Sequence, residues 1–179
     1  MGCRTLFVSV TWILATAIAS FPCSPNMHLE PKAMLAQADL ILRATAVEYV
    51  GPDLPIGTRR LWNSNIRFSV EEVLKGQYEK STLSLPGFLT DLDEWNRQDP
   101  PYTFPRPSAA GGSCFTHGYR KGAQFLLMLK KWDGSMSEIT GRPLDGYTIT
   151  WYPLGPVNEQ LRSSDDPWVQ WVREQVKRN

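Results

Sequence analysis

Ile66-Arg67-Phe68-Ser69-Val70-Glu71-Glu72-Val73-Leu74-Lys75-Gly76 is the stretch whose reading decides the fold. Ile66, Phe68 and Val70 alternate with Arg67, Ser69 and Glu71, so one side of the segment is apolar and the other wet, which is the period of a half-buried β-strand. Val73-Leu74-Lys75-Gly76 then carries the chain into a turn. Upstream, Leu40-Ile41-Leu42-Arg43-Ala44-Thr45-Ala46-Val47 alternates more loosely and ends near Gly51-Pro52, a turn signal that opens a loop with Pro55 and Gly57. Downstream, Ser81 to Leu85 reads as a third strand stopped by Pro86-Gly87.

Phe125-Leu126-Leu127-Met128-Leu129 is a continuous apolar run of strand length and is expected in the middle of the sheet. Gly118, Lys121 and Gly122 form its tight lead-in. Asp133-Gly134 predicts a hairpin turn toward Met136 to Ile139, and Tyr147, Ile149 and Trp151 alternate as one more strand. A short helix is expected over Pro31 to Asp39, where proline precedes Ala33, Met34, Leu35, Ala36 and Ala38. At the other end Asp166 can cap, Pro167 suits a first helical turn, and Trp168, Val169, Val172 and Val176 recur at helical spacing as a buried face, with Lys177 and Arg178 placed for the dipole. The fold class is therefore mainly β, a small five-stranded barrel, closed or partly open, with a short N-terminal and a C-terminal helix.

The N-terminus has a different purpose. Met1 to Arg4 is short and basic, Thr5 to Ala19 is apolar, and Ala17-Ile18-Ala19 has the small-x-small form read by signal peptidase. Residues 1–19 are expected to be a cleaved signal peptide, too short for a bilayer span. Residues 20–179 follow as a single domain, secreted or periplasmic. A lipidated Cys23 is excluded by Ser20-Phe21-Pro22 before it. The chain has 19 Lys and Arg against 18 Asp and Glu, so loss of Arg4 leaves it formally neutral. Nothing in that balance suits nucleic acid.

Cleavage would also remove Cys3, leaving Cys23 and Cys114 of the three cysteines. Two thiols in an exported chain are expected as one disulfide. Its chain-entropy contribution has an upper bound of roughly 4.5 kcal/mol for a loop this long. The competing reading joins Cys23 with His28 and Cys114 with His117 as metal ligands at near-zinc spacing. Oxidation removes the thiolates such a site needs, so no metal and no cofactor is expected.

Several landmarks together resemble a known family: Cys23, the helix-strand pair Ala36-Gln37-Ala38-Asp39-Leu40-Ile41-Leu42-Arg43-Ala44-Thr45, the strand Phe68 to Gly76, and Cys114-Phe115 and Gly118 ahead of Phe125-Leu126-Leu127-Met128. Over about residues 23–131 the chain resembles the oligonucleotide/oligosaccharide-binding-fold (OB-fold) domains of the tissue inhibitors of metalloproteinases (TIMPs) and the netrin-like modules. The resemblance implies a bridge from an N-terminal cysteine to one after the third strand, which maps onto Cys23 and Cys114. In the family's inhibitors the cysteine is residue one and its α-amino group and carbonyl chelate the protease zinc. Here Ser20-Phe21-Pro22 would precede Cys23, and a peptide amide has no lone pair for zinc. The family's further disulfides are missing, with Trp62, Trp132 and Trp151 available as core instead.

Residues 88–113 stand apart as a long loop rich in proline and aromatic side chains. Its Trp95, Tyr102 and Phe104 either form an exposed patch for a partner or fold back over one barrel opening. Asp91, Asp93 and Glu94 supply the paired carboxylates of a hydrolase, but no histidine lies nearby and no nucleophile-elbow or phosphate-loop motif occurs. The expectation is a non-catalytic binding or interaction module whose partner is a protein or a cell-envelope component. The alternatives are a metalloprotease inhibitor acting through an N-terminal Cys23 and a hydrolase using the loop carboxylates.

Overall fold

The computed structural model describes residues 30–50, 65–104, 106–107, 118–131, 151–154 and 158–178. Cys23, Cys114, His28 and His117, the Asp133-Gly134 turn with its Met136 to Ile139 partner, Tyr147, Ile149, Trp62 and Trp132 lie outside them.

Helix α1 (Pro31–Gln37) leads into β1 (Leu40–Val50), which pairs antiparallel with β2 (Asn65–Lys75), with Ala46 opposite Phe68 and Thr45 opposite Ser69. Strand β3 (Thr82–Pro86) adds to β2, placing Leu85 opposite Ile66. On the other side of β1 lies β6 (Gln124–Lys131), with Leu42 opposite Leu127. Beyond it come β7 (Trp151–Pro153) and, off the main path, β8 (Glu159–Gln160). The order β3-β2-β1-β6-β7 makes a mainly antiparallel sheet. A second small sheet pairs β4 (Phe88–Thr90) in parallel with β5 (Gly118–Arg120). Helix α2 (Pro167–Arg178) ends the chain.

The mainly β class agrees with the sequence; a closed barrel does not. Among the described residues no ladder joins β3 to β7. The sheet is strongly curled instead, helped by register shifts between Ile41 and Leu42, Arg43 and Ala44, and Ala46 and Glu48, since an extra residue on one strand bends and twists it. The curl brings the two edges near each other, where Tyr78 and Trp151 meet edge to face at 6.4 Å. A second correction concerns the segment after residue 88, expected as loop throughout: it begins with β4 and makes a further bridge between Trp95 and Gln160.

The alternation of side chains explains the core. On β6, Phe125, Leu127 and Leu129 join Leu40, Leu42, Phe68, Leu83, Leu85 and Tyr119 inside the curl. Leu126 and Met128 point the other way, with Ile41, to meet Met34 and Leu35 of α1 and Trp168, Val169 and Val172 of α2. The unbroken apolar run of β6 therefore follows from burial on both faces. Helix α2 is capped as its sequence suggests: Trp168 donates its backbone N–H to Asp166 Oδ1 at 2.9 Å. It is tied to β2 by Arg173, whose Nε and Nη2 donate to Glu72 at 3.0 and 2.6 Å. These hydrogen bonds, aided by Arg43, hold the Glu72 carboxyl below the usual carboxylate range despite its partial burial.

Gly76 ends β2 with φ +84°, where a side chain is strained, and a Cβ there would sit 2.4 Å from the Asp39 carbonyl oxygen. Lys75 next to it donates to the carbonyls of Leu35 and Ala36 at 2.5 and 3.3 Å, satisfying the end of α1. No helix among the described residues is long and apolar enough to cross a membrane.

Candidate functional site

The segment after β4 is fastened to the sheet by charge. Arg106, flanked by Pro105 and Pro107, is fully buried. Its Nη1 donates to Glu94 Oε2 at 2.6 Å and its Nη2 to the Gly118 carbonyl at 2.6 Å. The guanidinium lies over the rings of Tyr119 and Phe125, 5.7 and 5.4 Å from their centroids. The Arg106 backbone N–H is taken by Glu159 Oε1 at 3.1 Å. Glu159 is also fully buried, and its Oε2 has no hydrogen-bond partner within reach. Burial pushes its carboxyl up to about 7, although Arg106 pulls the other way. Asn158 beside it donates to Tyr119 Oη at 2.8 Å, and burial raises the Tyr119 phenol.

The neighbouring carboxylates and amides extend this fastening. Gln160 takes the Glu94 backbone N–H on Oε1 at 2.9 Å and donates from Nε2 to Asp93 Oδ1 at 2.6 Å. Arg120 pairs with the same Asp93 oxygen at 3.0 Å. Asn96 is buried, donates to the Phe104 carbonyl at 2.8 Å, and offers its own carbonyl to Arg162 Nη2 at 2.9 Å. The acidic trio is thereby divided. Asp93 and Glu94 are ion-pair partners that shape the loop, while Asp91 lies at the surface.

The three aromatic candidates are divided as well. Tyr102 is 3% exposed and stacks on Trp168 with ring centroids 5.0 Å apart. Burial, then the Asp166 carboxylate, push its phenol up to about 12. Tyr102 therefore belongs to the core under α2 and leaves the candidate surface. Trp95 and Phe104 stay exposed, at 42% and 37%, in the company of Leu92 at 70%. Beside Trp95 an open cleft of about 220 Å³ is lined by Asp93, Arg120, Gln124, Gln160 and Arg162.

No group of three or more metal-ligating side chains occurs among the described residues. Arg106, Glu159, Gln160 and Arg162 were not candidates from sequence, since none carries a motif or lies in a periodic run. The only local signal was Pro105-Arg106-Pro107, a charge held between two residues of fixed φ. Compared with family models and with curated proteins, the sequence matches none.

Proposed function

We propose that this protein is an exported, non-catalytic binding module of the TIMP and netrin-like type, whose partner is a protein or a cell-envelope component. The observation that carries this reading is the contrast within residues 92–106: Arg106, Glu94 and Glu159 anchor the segment in the interior while Leu92, Trp95 and Phe104 stand at the surface. Aromatic side chains held on a pinned backbone lose little entropy on binding, which is how interface anchors work.

The order β3-β2-β1-β6-β7, with its two edges curled together at Tyr78 and Trp151, supports an OB-fold-like arrangement. The use of Asp93 and Glu94 as ion-pair partners speaks for binding over hydrolysis. A disulfide between Cys23 and Cys114 fits an exported chain and would bring the N-terminal arm toward the same module.

The test is capture from an envelope extract by the immobilised protein, compared with Trp95→Ala/Phe104→Ala. Loss of the captured species in the double variant is the expected result, and unchanged capture would remove this surface from the reading. Intact mass with thiol alkylation, before and after reduction, checks the rest. A chain starting at Ser20 or Phe21 and alkylated only after reduction is expected; one starting at Cys23 would instead favour protease inhibition through a free α-amine.

A further inference from the structure

The cleft beside Trp95 has walls fixed before any ligand arrives. Gln160 holds Asp93 and the Glu94 backbone, Arg120 holds Asp93 from the end of β5, and Arg162 is braced on the Asn96 carbonyl. Gln124 is steadied by Arg43, whose Nη1 donates to its Oε1 at 3.2 Å. Such prior bracing reduces the ordering cost of binding.

Charge narrows what the cleft can take. Two arginines and one aspartate line it, and Arg162 makes no ion pair among the described residues. The excess is one positive charge, so an anionic ligand is favoured. Shape narrows it further. At about 220 Å³ the cleft is smaller than the 300 Å³ or so at which drug-sized sites begin, and this suits a single ring. The charged Asp93, Arg120 and Arg162 in its lining disfavour a lipid chain. Trp95 supplies one flat apolar face, 42% exposed, which a small inorganic anion would leave unused.

A ring with one face of C–H groups, hydroxyls round its edge and one carboxylate meets all three conditions. We infer that the cleft formed by Trp95, Arg120, Arg162 and Gln124 binds a carboxylated pyranose, a uronic acid unit, with the ring on the indole and the carboxylate on the Arg162 guanidinium. A guanidinium accepts a carboxylate through two parallel N–H donors, and this fixes the orientation of the ring. Arg120, half committed to Asp93, and Gln124 face the ring hydroxyls. The inference rests on the binding-module reading and names the ligand class for it.

The experiment is calorimetric titration of the purified protein with glucuronate, oligoglucuronate, glucose and acetate, followed in parallel by the indole N–H signals in nitrogen-15 spectra. Saturable glucuronate binding is expected, with one indole signal shifting that disappears from the spectrum of Trp95→Ala. Glucose and acetate should each bind at least tenfold more weakly. Trp95→Ala and Arg162→Gln should each weaken glucuronate at least tenfold while keeping dispersed, folded spectra; Lys177→Gln on α2 should not. Tighter binding of the oligomer than of the monomer would assign the source to an envelope polymer, and equal binding to a free sugar acid. Equal affinity for glucose, equal affinity for acetate, or glucuronate binding untouched by both variants would each overturn the inference. Absence of any glucuronate binding would overturn it too; partner capture lost in Trp95→Ala/Phe104→Ala would then still leave the binding module standing.

Discussion

Glu159 accepts the backbone N–H of Arg106 at 3.1 Å, whereas the Arg106 guanidinium turns to Glu94 and to the Gly118 carbonyl. One acid thus holds the main chain of the loop and another holds its side chain. Arg106 and Glu159 are fully buried, whereas Trp95 in the same segment as Arg106 stays exposed.

Arg106→Met should be costly. Deleting one partner of a buried ion pair leaves Glu94 and the Gly118 carbonyl without their donors, a loss of about 3–5 kcal/mol. Urea unfolding should show a loss of stability of that size, and hydrogen exchange should quicken over residues 92–106. A change below 1 kcal/mol would mean the guanidinium is replaceable by packing alone.

Stability should rise on mild acidification. The Glu159 carboxyl is raised in the folded state, from 4.5 to about 7, so its contribution is full below the unfolded value and is lost as pH climbs through 7. The difference corresponds to about 3 kcal/mol between pH 8 and pH 4.5. Glu72 acts in the opposite sense. Its lowered carboxyl stabilises above its unfolded value and is lost as pH falls through the folded one, so the gain reverses in stronger acid. Melting temperature against pH should therefore peak in the mildly acidic range, and Glu159→Gln should flatten the descending limb between about pH 4.5 and 7. A descending limb identical in the variant would place its cause elsewhere.

Tyr102→Ala and Trp95→Ala should part company although the residues are close in sequence. Tyr102 is stacked on Trp168 in the core, and its removal should cost about 3–5 kcal/mol in chemical denaturation, as for other buried aromatics. Trp95 at 42% exposure should cost about 1 kcal/mol or less. Equal losses would contradict the placement of one of them.

Two glycines of positive φ give a similar contrast. Gly122→Ala meets no atom within 4 Å and should cost only the backbone strain, about 1 kcal/mol, whereas Gly76→Ala drives a methyl into the Asp39 carbonyl and should cost clearly more. Denaturation midpoints of the two variants, taken side by side, decide it.

What the sequence conveyed depended on periodicity. Ile66, Phe68 and Val70 announced β2 through alternation, Phe125 to Leu129 announced a strand buried on both sides, and Asp166-Pro167 announced the start of α2. Strands of three residues or fewer, such as β4, β5 and β8, have no period to read, so the parallel pair of Phe88 and Gly118 was invisible. The candidate site was hidden for a related reason. Glu159 and Arg106 are 53 positions apart, and their buried hydrogen bond joins two residue types that sequence alone assigns to the surface. Tyr102 was open to two readings because a loop aromatic carries no marker of which side it faces; the position of α2 decided for the interior.

Strand β1 lies between β2 and β6, and its second neighbour arrives only with residues 124–131. A chain appearing from a ribosome or a translocon, N-terminus first, therefore carries the β1–β2 hairpin for a time with one backbone edge vacant and the apolar faces of Leu40, Ile41 and Leu42 uncovered. Long-range pairing of this kind slows folding and leaves an interval in which another strand can attach. Chaperone demand during synthesis should accordingly fall sharply once Leu129 has emerged.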